Sequence, residues 1–389
     1  MPKRWPELGG PSFLDFDEAR VQARAFLPRA LFDYIDRGTE GEVALRALHD
    51  GFSRRRVVPR VLRPVSAPDP ATTLMGRRHD LPFVVAPTAL AGMVRYDGEV
   101  AMARAARDIG VPFCVSTQSS TAIEAIAAGA PGADLWFQLY VWRDREQTWK
   151  LLDRVAAQGV SVLLLTVDTP ASPKKVHNIR NGFGVPLRPS GRLALDLALH
   201  PRWTIGVMGR YRAQSGLPSY AHYPGGKAVT QAISDPRFAL DMVLDAAFLA
   251  ELRRRWPGRL ILKGVMDPRD VQMAFDAGCD AVVVSTHGGR NHDGAANPLE
   301  MLPAIRQAVG PGRTLLADSG VRRGSDAAKL LAAGADGVLL GRAPLYGLAA
   351  AGDAGVRHML TLLADELRGF MAFSGAPDLR ALAGLDWLG

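Results

Sequence analysis

The chain has 389 residues, 48% of them hydrophobic and 22% charged, with a formal net charge of +8. That composition excludes a disordered chain and leaves room for one large α/β domain or two smaller ones. A basic chain suits nucleic acid, an anionic membrane or an anionic small molecule, but Lys and Arg are not interleaved with aromatics and no zinc-finger spacing occurs, so no nucleic-acid partner is expected.

Cys114 and Cys279 are the only cysteines and sit in apolar runs. Two such thiols suit a reducing compartment better than a disulfide framework. The first residues, M-P-K-R-W-P-E-L, carry no apolar signal core, and no stretch reaches the ~18 apolar residues of a membrane span. A cytoplasmic location is expected, with contact to a membrane surface left open. No metal site is expected.

In chain order, residues 1–80 read as an N-terminal extension. Eight short apolar, β-branched runs follow: 81–87 (LPFVVAP), 111–116 (VPFCVS), 135–140 (LWFQLY), 160–168 (VSVLLLTVD), 259–265 (RLILKGV), 280–285 (DAVVVS), 313–318 (RTLLAD) and 337–341 (GVLLG). Helical patterns separate them, for example 98–110 and 325–334, each closed by a glycine where a left-handed cap would sit. Eight strand–helix units predict an α/β fold of the (β/α)₈ TIM-barrel type over residues 81–389, carrying an N-terminal helical extension. The alternative, a doubly wound sheet, lacks a G-x-G-x-x-G after its first strand.

Residues 170–248, after the fourth strand, read as a long inserted loop without a clear strand, rich in Pro, Gly, Arg and Tyr. Loops of that length are functional or disordered. Its segment 193–212 (LALDLALHPRWTIGVMGRYR) is apolar and basic, which fits a lid, a subunit contact or a membrane-surface patch.

In a barrel the catalytic groups gather at the C-terminal strand ends. Here those ends carry Pro87 and Thr88, Ser116, Gln138 with Tyr140, Thr166 with Asp168, Lys263, residues 285–290, Asp318 with Ser319, and Gly341 with Arg342. The stretch S-T-H-G-G-R-N-H-D-G (285–294) adds two histidines and an arginine to a glycine-rich turn. A plain polar turn would account for it alone; the polar ends of all eight strands together point to one ligand site. The last two ends, A-D-S-G-V-R-R-G-S-D (317–326) and L-L-G-R-A (339–343), join close-approach glycines to Arg322 and Arg342 at helix starts, a combination suited to a phosphate.

The chain resembles the FMN-dependent α-hydroxy acid oxidase and dehydrogenase family, most of all its mandelate and lactate dehydrogenase branch. The carrying motifs are L-P-R-A-L-F-D-Y-I-D-R-G (27–38), A-P-T-A-L-A-G-M (86–93), Q-L-Y (138–140), L-T-V-D-T-P (165–170), L-K-G-V (262–265), H-G-G-R (287–290), D-S-G-V-R-R-G-S-D and L-L-G-R-A.

The resemblance implies FMN, with Pro87, Thr88 and Ala89 along the flavin near N5. It implies Ser116, Gln138, Thr166 and Ser285 around the polar part of the site, and Lys263 by N1 and O2. It places Asp318 on the ribityl hydroxyls, and Ser319, Gly320, Arg322, Gly341 and Arg342 toward the phosphate. His287 is then the catalytic base, oriented by Asp168. Arg290 and Tyr34 would hold a substrate carboxylate, and Tyr140 would bond the substrate hydroxyl.

The implied reaction oxidises an L-2-hydroxy acid to its 2-keto acid, with oxygen or a quinone-type acceptor taking the electrons. Hydride and carbanion routes both stay open, and a homotetramer is implied. The alternative is an FMN-dependent isomerase or an oxidoreductase acting on a non-standard carboxylate. The chain departs from the family pattern after T-V-D-T-P: Lys175 stands at the position of an arginine and Asn178 at that of an aspartate. Thr286, Asn291 and His292 also differ, and Gly41 replaces an aspartate. These differences bear on substrate identity, with Lys175 as a further substrate-binding group.

Overall fold

A computed structural model describes residues 11–183, 190–224, 227–228 and 235–388. Eight parallel strands close into a barrel: β1 Phe83–Val85, β2 Phe113–Ser116, β3 Leu135–Leu139, β4 Val162–Thr166, β5 Arg259–Val265, β6 Ala281–Val284, β7 Thr314–Ala317 and β8 Gly337–Leu340. Each lies inside one of the eight runs named from sequence. β5 fills its whole run; the other seven strands are shorter, with prolines and polar residues at the run ends lying outside the ladder.

Alternation along the strands decides what faces inward. Val84, Cys114, Trp136, Leu164, Ile261, Val283, Leu316 and Leu339 form one buried cluster filling the barrel interior. Phe83, Val85, Phe113, Val115, Phe137, Leu163 and Leu165 belong to the second, larger cluster packed under the helices. Two residues beyond the inward layer, the same parity brings up Ala86, Ser116, Gln138, Thr166, Lys263, Ser285, Asp318 and Gly341. The sequence therefore builds the plug and the ring of polar groups above it with a single period of two.

Before the barrel come α1 Phe16–Phe26, α2 Arg29–Asp36 and α3 Val43–Arg54. The hairpin Thr72–Leu74/Arg77–His79 follows them, and its Leu74 packs into the interior cluster. The helices after the eight strands are α4 Gly98–Ile109, α5 Ile123–Gly129, α6 Arg145–Ala157, α7 Ala246–Arg255, α8 Pro268–Asp276, α9 Pro298–Val309, α10 Gly324–Ala332 and α11 Arg342–Ser374. α4 ends at Gly110 with φ +81, the left-handed cap read from sequence. α11 is broken by non-helical backbone at Ala351 and Gly352. Cys114 is in β2, whereas Cys279 lies in the turn before β6 rather than in a strand; both are free and buried.

The insert differs most from its sequence reading. Where no strand was expected, Ser219–Tyr220 pairs with Lys227–Ala228, and the described part also holds helices Val176–Asn181 and Gly191–Leu199. Pro201–Trp203, Thr204–Gly209 and Arg210–Gln214 run on as one helix with a π-turn in its middle. Two-residue strands are too short to show alternation, and helices this short carry little periodic signal. Residues 184–189, 225–226 and 229–234 of the expected loop lie outside the described residues.

Side chains and one backbone bridge fasten the insert to the barrel. Trp203 Nε1 donates to the Met93 carbonyl at 2.8 Å, and the backbone of Leu240 pairs with that of Trp142 in an isolated antiparallel bridge. His222 Nε2 accepts the Ile123 N–H at 3.0 Å, capping α5, while its Nδ1 lies 3.2 Å from the Thr117 carbonyl. Burial brings the His222 imidazole down to about 4, so it stays the neutral acceptor that this cap requires.

Candidate active site

Two glycine-dependent turns set the positions of Asp168 and His287. Between Lys263 and Val265 the β5–β6 register slips, and Gly264 there has φ +104. A Cβ on Gly264 would lie 2.5 Å from the Cβ of Asp168, so only glycine lets that carboxylate sit against β5. After β6, His287, Gly288 and Gly289 adopt φ of +55, +68 and +70 in succession. A left-handed histidine is unusual and marks a turn held by its surroundings. Ser319 Oγ accepts the N–H groups of Thr286 and Gly288 at 3.1 and 3.0 Å and donates to Asp318, pinning that turn to β7.

The result is a hydrogen-bonded pair at the mouth of the barrel. His287 Nδ1 lies 3.0 Å from Asp168 Oδ1. Burial alone would raise the Asp168 carboxyl, but the charges of His287 and Lys263 and the histidine hydrogen bond hold it below its ordinary value. Asn291 donates to the Asp168 carbonyl at 2.9 Å and steadies the same corner. With Nδ1 committed to Asp168, Nε2 is the ring nitrogen left for a ligand.

Around this pair lies a cavity of about 330 Å³. It is lined by Tyr34, Pro87, Thr88, Ala89, Ser116, Gln138, Tyr140, Thr166, Lys175, Lys263, His287, Arg290, Asp318, Ser319, Gly320, Arg322, Gly341 and Arg342. Two of the residues named from sequence do not line it. Asp168 stands behind His287. Ser285 is turned to Lys263 Nζ at 2.7 Å and to the His287 N–H at 3.0 Å, a support beneath the lining.

The floor is a chain of polar groups. Ser116 Oγ donates to Gln138 Oε1 and Gln138 Nε2 donates to Thr166 Oγ1, each at 3.1 Å. Lys263 is 4% exposed and its Nζ is 2.8 Å from Asp318. Burial opposes that charge, yet the carboxylates of Asp318 and Asp168 leave the ammonium above its ordinary value, so the lysine is a fixed cation.

One end of the cavity is crowded with positive charge. Arg342 reaches the carbonyls of Ile35 and Gly288, at 2.9 and 3.0 Å. Burial and the neighbouring Arg290 lower it to about 10. Arg322 contacts His49 Nε2 and stacks over Phe16. Burial and the two arginines bring His49 down to about 4, leaving a neutral ring that accepts the guanidinium N–H. Among the described residues neither arginine has a carboxylate within ion-pair distance.

At the outer side, Tyr34 lies between two cations. Arg290 and Lys175 sit 5.0 and 5.4 Å from its ring centroid. Arg290 Nη1 is anchored on the backbone carbonyls of Tyr34, Ile35 and Arg37. Burial, then Arg290 and Arg342, lower Lys175 to about 7. Burial pushes the Tyr140 phenol up, so it is a hydrogen-bond donor at neutral pH.

His292 is exposed and bonds only the Gly294 N–H, so the second histidine of the turn faces solvent. Its neighbour Asp293 accepts from Gly41 and Ala44 and caps α3, whose own cap residue Glu42 bonds no helix N–H. Sequence reasoning missed His49, Gln118, Leu240, Met242 and Tyr346, all in the lining, which also includes Asn291. Gln118 sits two residues beyond a run already singled out. His49 lies in an ordinary amphipathic helix and carried no signal.

A model of the FMN-dependent dehydrogenases matches residues 23–386. The chain belongs to that family. It is 42% identical over 374 residues to an L-lactate dehydrogenase of Caulobacter vibrioides, covering 95% of this chain and 96% of the relative. It is 36% identical over 376 residues to the (S)-mandelate dehydrogenase of Pseudomonas putida, covering 96% and 93%. Among solved structures, a monotopic membrane protein, (S)-mandelate dehydrogenase, superposes with a TM-score of 0.90 at 34% identity, covering 96% of this chain and 99% of that one. Structures of mandelate oxidase superpose at 0.81.

This FMN-dependent dehydrogenase is therefore an oxidoreductase, and the cavity fits its cofactor. A flavin mononucleotide needs hydrogen-bonding groups along one ring edge, a cation where negative charge develops, and neutralisation of a phosphate dianion. The cavity has the Ser116–Gln138–Thr166 chain, Lys263, and two arginines without a carboxylate. At Gly341 an added Cβ would meet nothing within 4 Å, leaving room at the arginine end.

Proposed function

We propose that the protein oxidises an L-2-hydroxy acid to the corresponding 2-keto acid, and that reduced flavin passes its electrons to a membrane quinone-type acceptor. His287 Nδ1 on Asp168, inside a cavity that also holds Arg290 and Lys175, is the observation that carries this reading. The dehydrogenases and oxidases it resembles are named for lactate and mandelate, both 2-hydroxy acids.

FMN, when bound, supplies the two-electron sink. Its ring edge would be held by Ser116, Gln138 and Thr166, with Lys263 as the fixed cation and Pro87, Thr88 and Ala89 along the ring. Asp318 would meet the ribityl hydroxyls, and Arg322, Arg342 and the backbone of Ser319, Gly320 and Gly341 the phosphate. Ser285 contributes indirectly, by holding Lys263.

His287 takes up the proton that leaves the hydroxy acid, and Asp168 stabilises the imidazolium that results. The substrate carboxylate sits between Arg290 and Lys175 with the Tyr34 hydroxyl beside it, and Tyr140 donates to the hydroxyl that becomes the keto oxygen. Leu240, Met242 and Pro173 also line the cavity, which favours a hydroxy acid with an apolar side chain.

Peripheral membrane attachment is part of the proposal. Leu195, Leu199 and Ile205 of the insert are 62–71% exposed and lie in a segment rich in arginine. No described helix is long and apolar enough to cross a bilayer. Such a patch instead suits a helix lying in the interface. The expected assembly is a homotetramer, to be read by light scattering.

The test is anaerobic bleaching of the purified yellow protein by lactate, glycolate and mandelate in turn, followed by addition of a soluble quinone or of air. Bleaching by one acid establishes the half-reaction. Recolouring by quinone much faster than by air supports the acceptor, and the reverse would make the enzyme an oxidase. A protein that no 2-hydroxy acid bleaches would overturn the substrate class.

A further inference from the structure

A second basic cavity, of about 270 Å³, opens beneath the insert, bounded by Arg20, Arg24, Arg29, Arg37, Asp33, Asp36, Phe32 and His200. Helix Gly191–Leu199 lies next to it and places His200 in its wall, because Asp196 accepts the Arg29 and Ala30 N–H groups at 3.2 and 3.3 Å and so caps α2. His200 Nδ1 in turn sits 2.7 Å from the Asp196 carbonyl.

The carboxylates do not balance the arginines. Asp36 is committed to Arg20 at 2.6 and 2.7 Å and to the Tyr346 hydroxyl at 2.6 Å. Arg37 reaches Glu42 at 3.3 Å. Arg29 has only a loose contact with Asp33, at 3.6 Å, and Asp33 already accepts from Asn181. Arg24 has no ion-pair partner among the described residues.

The surroundings of this charge are those of an amphiphile site. His200 also lines an adjoining groove of about 670 Å³ whose apolar side is Phe26, Ala25, Leu199, Pro201 and Ala350 and whose polar side is Gln22, Arg95 and Arg202. Leu199 and Leu195, one helical turn apart, belong to the apolar patch described above. Arg24 without an ion-pair partner among the described residues, a loosely paired Arg29, an adjoining groove with one apolar side and an exposed apolar helix face meet within one surface.

We propose that this cavity binds the phosphate of an anionic phospholipid through Arg24 and Arg29, with the first acyl carbons along the Phe26–Leu199 groove. The site selects the leaflet on which the insert docks, and so rests on the membrane reading above. Asp36 lines both this cavity and the flavin cavity, so the two sites share one wall.

The experiment is flotation of the flavin-loaded protein with vesicles of phosphatidylcholine alone or mixed with phosphatidylglycerol. A basic residue near an anionic surface contributes about fivefold to partitioning, so R24Q/R29Q should bind the mixed vesicles roughly 25-fold less well. R60Q/R254Q, which removes equal charge from exposed positions elsewhere, should stay near wild type. Equal losses in the two variants would mean that net charge alone attracts the protein, and would overturn the site.

Wild-type binding as tight on phosphatidylcholine as on the mixture would also overturn it, while leaving membrane docking intact. If L195Q/L199Q leaves flotation unchanged on both vesicles, docking through the insert fails, and this proposal with it. If no vesicle is bound but inorganic phosphate raises the melting temperature of wild type and not of R24Q/R29Q, the ligand is a soluble phosphate and the lipid assignment is overturned.

Discussion

The barrel mouth and the insert meet at the same cavity, yet they are built on opposite terms. Each catalytic group at the mouth descends from a strand whose inward parity is fixed by the buried cluster below it. The insert reaches the same cavity with Pro173, Lys175, Leu240 and Met242, and is held by single hydrogen bonds and caps. Chemistry shared by a family can sit on the first kind of scaffold, whereas substrate and surface preference can change on the second without disturbing the core.

The largest effects should come from the barrel side. Lys263→Met would leave Asp318 buried without its 2.8 Å partner, and removing one member of a buried pair costs about 3–5 kcal/mol. Denaturant unfolding should show that loss together with weakened flavin retention. An unchanged midpoint would mean that the pair adds nothing net to folding. His287→Ala should keep the yellow colour and slow bleaching on the order of 10²–10⁴-fold. Stopped-flow traces at wild-type speed would remove His287 as the base.

A smaller effect, specific to the insert side, follows from Lys175. Its ammonium, held at about 7 in the free protein, is charged below that pH and neutral above it. A bound carboxylate favours the charged form. Affinity for an unreactive carboxylate, read from the flavin spectrum, should therefore fall as pH rises through about 7, by up to about tenfold per unit. Lys175→Arg should flatten the profile, because a guanidinium stays charged. A wild-type profile as flat as the variant's would take Lys175 out of the carboxylate site. An unreactive ligand keeps the pH dependence of binding separate from that of turnover.

The same contrast explains which features are legible in the amino-acid sequence. The eight strands are legible because each is a short apolar, β-branched run bounded by turn residues with a polar group at its end, and Gly110 is legible because a left-handed cap asks for glycine. Asp168, His287 and Arg290 are reachable through motifs placed after those strands. His49 is not, since nothing in α3 distinguishes a histidine over a cavity from one over solvent until α3 is docked beside Arg322. Ser285 misleads in the other direction: it has the inward parity of a lining residue, but Lys263 is long enough to cover it. In the insert, the caps supplied by Asp196 and His222 span more than 90 residues, and such pairings leave no local pattern.

The smallest predicted effect probes that last kind of contact. Asp196 lies on an insert helix, yet it serves α2, whose own cap residue Pro28 supplies no side-chain bond. Asp196→Ala should cost about 1 kcal/mol, the usual worth of an N-cap, and Asp196→Asn should recover part of it, because its single amide oxygen can accept one of the two N–H groups that the two carboxylate oxygens accept. α2 also carries Tyr34, whose ring lies against Arg290 and Lys175. The alanine variant should thus weaken carboxylate binding along with stability, while flavin content stays unchanged. If stability falls but carboxylate binding does not, the insert is a clamp on the outside of α2 and has no part in shaping the substrate side. If both fall and asparagine restores both in part and in step, the insert belongs to the active site through the Asp196 cap.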